Sequence, residues 1–148
     1  MASRISIEIQ GLYKKFGAVQ ALDGVFARFE PARLHGVIGP DGAGKTTLLR
    51  HLMGLLKADR GKVRFRDRDR TLAFEALRPR MAYMPQQQSL YADLSVSEHL
   101  DFFRDLYQIP AALYARRRDE LLSITRLGPF TARPAGQLSG GMYKKLGL

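Results

Sequence analysis

Residues 39–46 read GPDGAGKT: a glycine, four residues, then glycine, lysine and threonine in one unbroken run. Glycines at this spacing let successive backbone N–H groups turn inward around an anion, because they adopt backbone angles that a Cβ disfavours. A helix opening directly after the run adds the partial positive charge of its N-terminus. Lys45 has the reach to meet the β- and γ-phosphates of a nucleotide, and the Thr46 hydroxyl suits Mg²⁺. The chemistry this run can do is the holding of a polyphosphate.

Three other pieces place polar or aromatic groups where they could serve such a site. Tyr13, in LYKKFG, lies between the first two strand-like segments. Its ring could stack on an adenine, or pack as an ordinary core or surface tyrosine. Gln86 ends MAYMPQ, where its amide could touch a metal or an attacking water, or lie in an exposed loop. Residues 138–142 read LSGGM. The Ser139 hydroxyl with Gly140 and Gly141 ahead of a helix can offer a second anion site, or Ser139 can simply cap the backbone.

The elements that must carry these residues follow from periodicity. Ile5, Ile7 and Ile9 alternate with polar residues, as do Val25, Ala27 and Phe29, so two half-buried strands are expected, with a turn at Pro31. RLHGVIG reads as a short buried strand leading into the glycine run. Leu48, Leu49, Leu52, Met53 and Leu56 fall at helical spacing, so a helix is expected from about Gly44 through Leu56. GKVRF and MAYMP read as further strands, the second stopped by Pro85. Beyond residue 86 the character changes. Ser95 and Glu98 form a capping box, and Val96, Leu100, Phe103 and Tyr107 make one apolar helix face. Pro110 stands where a first helical turn tolerates it, opening another helix. Two regions are therefore expected: 1–86, alternating strand and helix around the phosphate loop, and 87–148, a helical region ending in LSGGM.

Composition narrows the class. With 148 residues and 45% hydrophobic content, the chain can bury a core of its own. It has no apolar run long enough to span a membrane and no cysteine, which excludes disulfides and thiolate metal sites. His35, His51 and His99 are scattered and are not expected to ligate a metal. The net charge is +10, but its basic residues are dispersed, and both RFRDRDR and RRRDE read as solvated faces.

In order and spacing, Tyr13, GPDGAGKTT, Gln86 and LSGGM together resemble the nucleotide-binding domain of ATP-binding cassette (ABC) transporters. Stretches such as GPDGAGKTTL, YMPQ, LYADLSV, LGPFTARPAGQLSGGM and KLGL look most like the ATPase component of bacterial ABC-2 type drug-efflux systems. Met142 stands where glutamine is common in the family, and Tyr143 where this branch more usually has a polar or basic residue. The resemblance implies an α/β P-loop NTPase cassette: an N-terminal β region, part of a parallel sheet and a helical subdomain. It implies that Gly39, Pro40, Asp41, Gly42, Ala43, Gly44, Lys45, Thr46 and Thr47 form the Walker A loop that binds ATP. Thr46 and Gln86 would meet Mg²⁺, with Gln86 also near the attacking water, and Tyr13 would stack on the base.

The resemblance further implies that Ser139, Gly140 and Gly141 close over the nucleotide of a second cassette, in a homodimer or a tandem pair. Closure would be passed to transmembrane permease subunits, with the cassette on the cytoplasmic face of the membrane and no nucleic acid as partner. The family's Walker B aspartate, catalytic glutamate and switch histidine lie outside these 148 residues, so the chain reads as a truncated cassette not expected to turn over ATP alone. A soluble ABC ATPase of translation or DNA repair is the main alternative. It is disfavoured because no sustained heptads of an inserted coiled coil separate Gln86 from Leu138. A non-catalytic nucleotide-binding fragment is another alternative, and a small P-loop kinase or GTPase is opposed by LSGGM.

Overall fold

The computed structural model describes residues 4–86 and 90–148. The chain divides into two compact units, Met1–Tyr83 and Met84–Leu148. Residue 87, where helical character is expected to begin, lies outside the described residues.

In the first unit, the alternating segments form β1 (Ile5–Phe16) and β2 (Val19–Phe29). With β3 (Arg60–Asp67) and the short β4 (Arg70–Leu72) they make an antiparallel sheet in the order β2-β1-β3-β4. Register gathers the apolar side chains on one face: Ile7 lies opposite Phe29 and Phe65, and Ile9 opposite Ala27 and Val63. The helix α1 (Lys45–Leu52) buries Leu48 and Leu52 in a cluster with Ile9, Leu12 and Leu22 of the sheet. Each such side chain taken out of water contributes roughly 1.5–3 kcal/mol, so this cluster anchors the helix and the loop before it. On the sheet's other face Glu8 sits between Arg66 (3.5 Å) and Arg28 (3.9 Å). The charged residues of RFRDRDR are exposed or half-buried on the β3–β4 hairpin.

Where the loop meets α1, backbone touches backbone. Gly44 has φ +82°, and a Cβ added there would run into the Ala21 carbonyl oxygen and come within 3.1 Å of Leu22 Cδ2. Handedness and space both require glycine.

The expectation that α1 runs through Met53 and Leu56 is corrected: it ends at Leu52. Gly54 N donates to His51 O (3.0 Å) and Leu55 N to Arg50 O (2.8 Å), with Gly54 at φ +65°. This is a Schellman stop, which turns the chain out of the helix despite the apolar spacing. The short α2 (Phe74–Leu77) buries Leu77, and its Phe74 ring closes over Gly54.

Two expected strands are also corrected. Residues 34–38 and 81–85 are not strands; Leu34 and Ile38 are almost wholly exposed. A strand is held by ladder bonds to a neighbour, and neither segment has a partner strand among the described residues. The sheet pairing described is therefore antiparallel throughout, without the parallel portion that these two segments were expected to supply.

In the second unit, Ser95 caps α3 (Val96–Leu106) through the expected box. Its hydroxyl accepts from Glu98 N (3.2 Å), while the Glu98 carboxylate accepts from Ser95 N (2.7 Å) and Ser95 Oγ (2.6 Å). Two more first-turn donors, Val96 N and Ser97 N, bond to Arg133 O and Thr131 O. The apolar stripe splits. Val96 is fully buried and Leu100 half-buried, but Phe103 and Tyr107 are exposed. α4 (Ala111–Thr125) follows Pro110, and α5 (Gly140–Leu146) follows Ser139. Val96, Leu122 and Leu127 form the core here, packed by Leu100, Leu138, Met142 and Leu146.

Two outcomes follow from these contacts. Gly44→Ala should destabilise the first unit by more than about 1 kcal/mol in denaturant unfolding, whereas alanine at Gly42, where a Cβ meets nothing within 4 Å, should cost less. Equal losses would remove the special role of the Ala21 contact. In the second unit, the Ser95 hydroxyl and then the Ser95 N–H hold the Glu98 carboxyl below the usual glutamate range. A lowered folded-state pKa gives stabilisation that is present above the unfolded-chain value and lost as pH falls through the folded value. Acidification through that window should therefore weaken α3, and Glu98→Gln should flatten this pH dependence of the unfolding midpoint. A variant with the wild-type slope would show that the box does not carry it.

Candidate nucleotide-binding site

Lys45 opens α1, and its ammonium donates to the carbonyl oxygens of Gly39 (2.8 Å) and Pro40 (2.7 Å). Pro40 O also accepts from Ala43 N (3.3 Å). The side chain thus closes residues 39–45 into a ring, with Gly42 and Gly44 both in the left-handed region. Gly39, Pro40, Asp41, Gly42 and Ala43 are exposed, while Gly44, Lys45, Thr46 and Thr47 are half-buried. No side chain caps α1. The N–H groups of its first turn have no acceptor within the helix and remain available to an anion at the loop.

Tyr13 lies near the end of β1 and is 37% exposed. Its phenol covers Gly24, where a Cβ would lie 2.7 Å from the hydroxyl oxygen. Gly24 is two residues from Leu22, the side chain that meets Gly44, so β2 packs against both the aromatic ring and the loop. The Tyr13 backbone is held by Asp59. Asp59 N donates to Tyr13 O (3.0 Å), and the Asp59 carboxylate accepts from Lys14 Nζ (2.8 Å) and Lys15 N (2.7 Å). These bonds, that of Lys14 foremost, hold the Asp59 carboxyl below the usual aspartate range. Tyr13, Lys15, Gln20, Asp23, Asp59 and Arg60 line a cavity of about 400 Å³.

Gln86 and residues 139–141 belong to the second unit. Gln86 is exposed and shares the lining of a cavity of about 290 Å³ with Leu138, Gly140 and Tyr143. Ser139 Oγ accepts from Met142 N (3.3 Å), capping α5, while Cβ atoms added at Gly140 or Gly141 would meet nothing within 4 Å. The turn is positioned by the segment before it. Ala135 N donates to Leu94 O (2.8 Å) and Gly136 N to Ala92 O (2.9 Å), fastening residues 135–136 beside the start of α3. Phe102 and Phe103 of α3 continue an aromatic row between Tyr91 before the helix and Tyr107 after it: the Tyr91 and Phe102 rings are 5.4 Å apart, Phe102 and Phe103 5.3 Å, and Phe103 and Tyr107 6.2 Å.

Several groups that matter here escape a reading of motifs. Asp59 has only the signal of an acid just before a strand, facing the basic pair Lys14 and Lys15. His99, scattered in the sequence, is buried and structural: Nε2 accepts from Tyr91 N (3.1 Å), which places the proton on Nδ1, 3.0 Å from Ser95 O. Tyr143 bonds the backbone of Leu90. Among the described residues no cluster of histidine, aspartate or glutamate could hold a metal. A Mg²⁺ ion at the loop would be carried mainly by nucleotide phosphates and water, and the Thr46 hydroxyl in the first turn of α1 would be the protein group to join them.

Residues 22–148 match the family model described as ABC transporter. The chain is 44% identical over 147 residues to the "Probable multidrug ABC transporter ATP-binding protein YbhF" of Escherichia coli, an alignment covering 96% of this chain and 25% of that protein. It is 36% identical to the "Daunorubicin resistance ATP-binding protein DrrA3" of Streptomyces coeruleorubidus, covering 97% of this chain and 45% of that one. The chain therefore spans between a quarter and about half the length of these relatives. Among solved structures it resembles an ATP binding subunit of an ABC transporter (TM-score 0.71, 29% identity, 95% of this chain and 59% of that one). A nucleotide-free ATP-binding cassette at 24% identity shares the fold (TM-score 0.73, 99% and 64% covered). With the glycine-rich loop packed against β2 and the LSGGM turn on the second unit, these likenesses place the chain in the ABC transporter family, as part of its ATP-binding cassette.

Proposed function

We propose that the chain belongs to the ATPase of an exporter that moves small drug-like molecules, and that residues 39–47 bind the phosphates of ATP. The observation that carries this reading is the Lys45 ammonium held across the loop by two backbone carbonyls. A cation at that place, over N–H groups with no helical acceptor, can exchange carbonyl oxygens for phosphate oxygens at little cost in position. Mg²⁺, when bound with the nucleotide, would supply neutralisation of the phosphate charge. Tyr13 stacks on the base, and Gln86 serves near the metal or the attacking water. Hydrolysis is a property of the whole protein.

The remaining roles rest on the second unit. Ser139, Gly140 and Gly141, open around their backbone, close over the nucleotide held by a second cassette, as a homodimer or tandem partner. The aromatic row of Tyr91, Phe102, Phe103 and Tyr107 is an apolar surface suited to a membrane subunit. No helix among the described residues is long and apolar enough to cross a bilayer. Translocation is assigned to separate permease chains, with the cassette at the cytoplasmic face. The multidrug and daunorubicin-resistance names of two relatives support export as the direction.

Calorimetric titration of the intact protein with MgATP tests the site. Lys45→Ala should abolish measurable binding. Tyr13→Phe should keep the wild-type affinity, while Tyr13→Ala should lose about 1–2 kcal/mol, the value of one base–aromatic stack. Unchanged affinity in the lysine variant would overturn the phosphate-loop reading, and unchanged affinity in the alanine variant would return Tyr13 to packing over Gly24.

A further inference from the structure

Tyr143 occupies the fourth position of α5, one turn into the helix that LSGGM opens. Its phenol reaches back to Leu90, ahead of α3. The hydroxyl oxygen accepts from Leu90 N (3.0 Å) and lies 3.4 Å from Leu90 O, to which it donates. One hydroxyl therefore serves both backbone polar groups of a single residue. The next residue is held from the other side, where His99 of α3 accepts from Tyr91 N. Leu90 and Tyr91 thus form a two-residue node gripped by α5 and α3 together, and the residues on both sides of the grip share the second unit.

A lysine or arginine at position 143 could donate to Leu90 O but could not accept from Leu90 N. Tyrosine does both through a rigid ring with few rotatable bonds. Gln86 and Tyr143 also line the same cavity of about 290 Å³. Displacement of α5 along its axis must therefore either break two hydrogen bonds to Leu90 or carry that backbone with it. A broken pair leaves the half-buried Leu90 N–H and C=O without these partners, so following the helix is the less costly response.

We propose that Tyr143 is a positioning residue that couples the LSGGM helix to Leu90 and Tyr91, so that closure on a partner's nucleotide is transmitted to the surface carrying Tyr91. This rests on the transporter reading above. Tyr143 touches neither nucleotide nor metal in this scheme, and it acts through Leu90.

The test uses the intact protein assembled with its permease in membranes, comparing wild type with Tyr143→Phe, which keeps the ring and removes the hydroxyl. Two quantities are read: amide hydrogen exchange at Leu90, and the stimulation of ATPase rate by the permease and its transported molecule. In the phenylalanine variant, Leu90 exchange should rise at least tenfold. MgATP affinity and the unstimulated rate should stay within twofold of wild type, while stimulation falls at least fivefold. Tyr143→Lys should restore no more than part of it. A variant with faster Leu90 exchange and full stimulation overturns the coupling proposal and leaves the transporter reading intact. Unchanged Leu90 exchange shows that the hydroxyl does not hold the node and overturns the proposal at its base. A wild-type assembly whose ATPase ignores the permease overturns the transporter reading, and the proposal with it.

Discussion

The close approach of Gly44 to the Ala21 carbonyl is the constraint on which the proposed nucleotide site depends. A loop whose backbone N–H groups are to face an anion must present them from a rigid base. Here that base is a strand, reached without an intervening side chain. Once the loop is seated on β2, α1 starts in the direction that lets Leu48 and Leu52 meet Ile9, Leu12 and Leu22. The same seating puts Lys45 where its ammonium spans Gly39 and Pro40. Tyr13 gains its position by the same economy, lying over Gly24 of that strand while Asp59 holds its backbone.

The second unit solves a different problem, which is to fasten irregular chain beside a helix start. The first turn of α3 has donors that no helical carbonyl can take, and these are met by Arg133 O, Thr131 O and the Ser95 hydroxyl. Satisfying those donors brings residues 131–136 alongside α3 and delivers the LSGGM turn to its place. The capping box is therefore more than a helix signal. It is part of the device that positions Ser139, Gly140 and Gly141.

Legibility in the sequence followed the range of the interactions. Strand alternation in β1 and β2, the glycine–lysine loop and the Ser95–Glu98 box are local patterns, and each appears where its spacing places it. The end of α1 was misread because apolar spacing continues through Met53 and Leu56, while the left-handed Gly54 and its two hydrogen bonds override it. Residues 34–38 read as a buried strand from composition alone, yet a strand's existence depends on a neighbour that periodicity within the segment cannot reveal. Asp59 and Tyr143 act across 44 and 53 residues of chain, on backbone groups that carry no sequence signature. The loop's form was legible because its pattern is local. What holds Tyr13 and Leu90 was not.

The central claim is that Lys45 crosses its own loop in order to serve a phosphate. A crystal structure of the intact protein with a non-hydrolysable ATP analogue and Mg²⁺ tests it most directly. The account predicts that the Lys45 ammonium leaves the Gly39 and Pro40 carbonyls for the β- and γ-phosphate oxygens, with Gly44 still seated against Ala21 and the base on Tyr13. A nucleotide bound elsewhere, with Lys45 still on the two carbonyls, would contradict it.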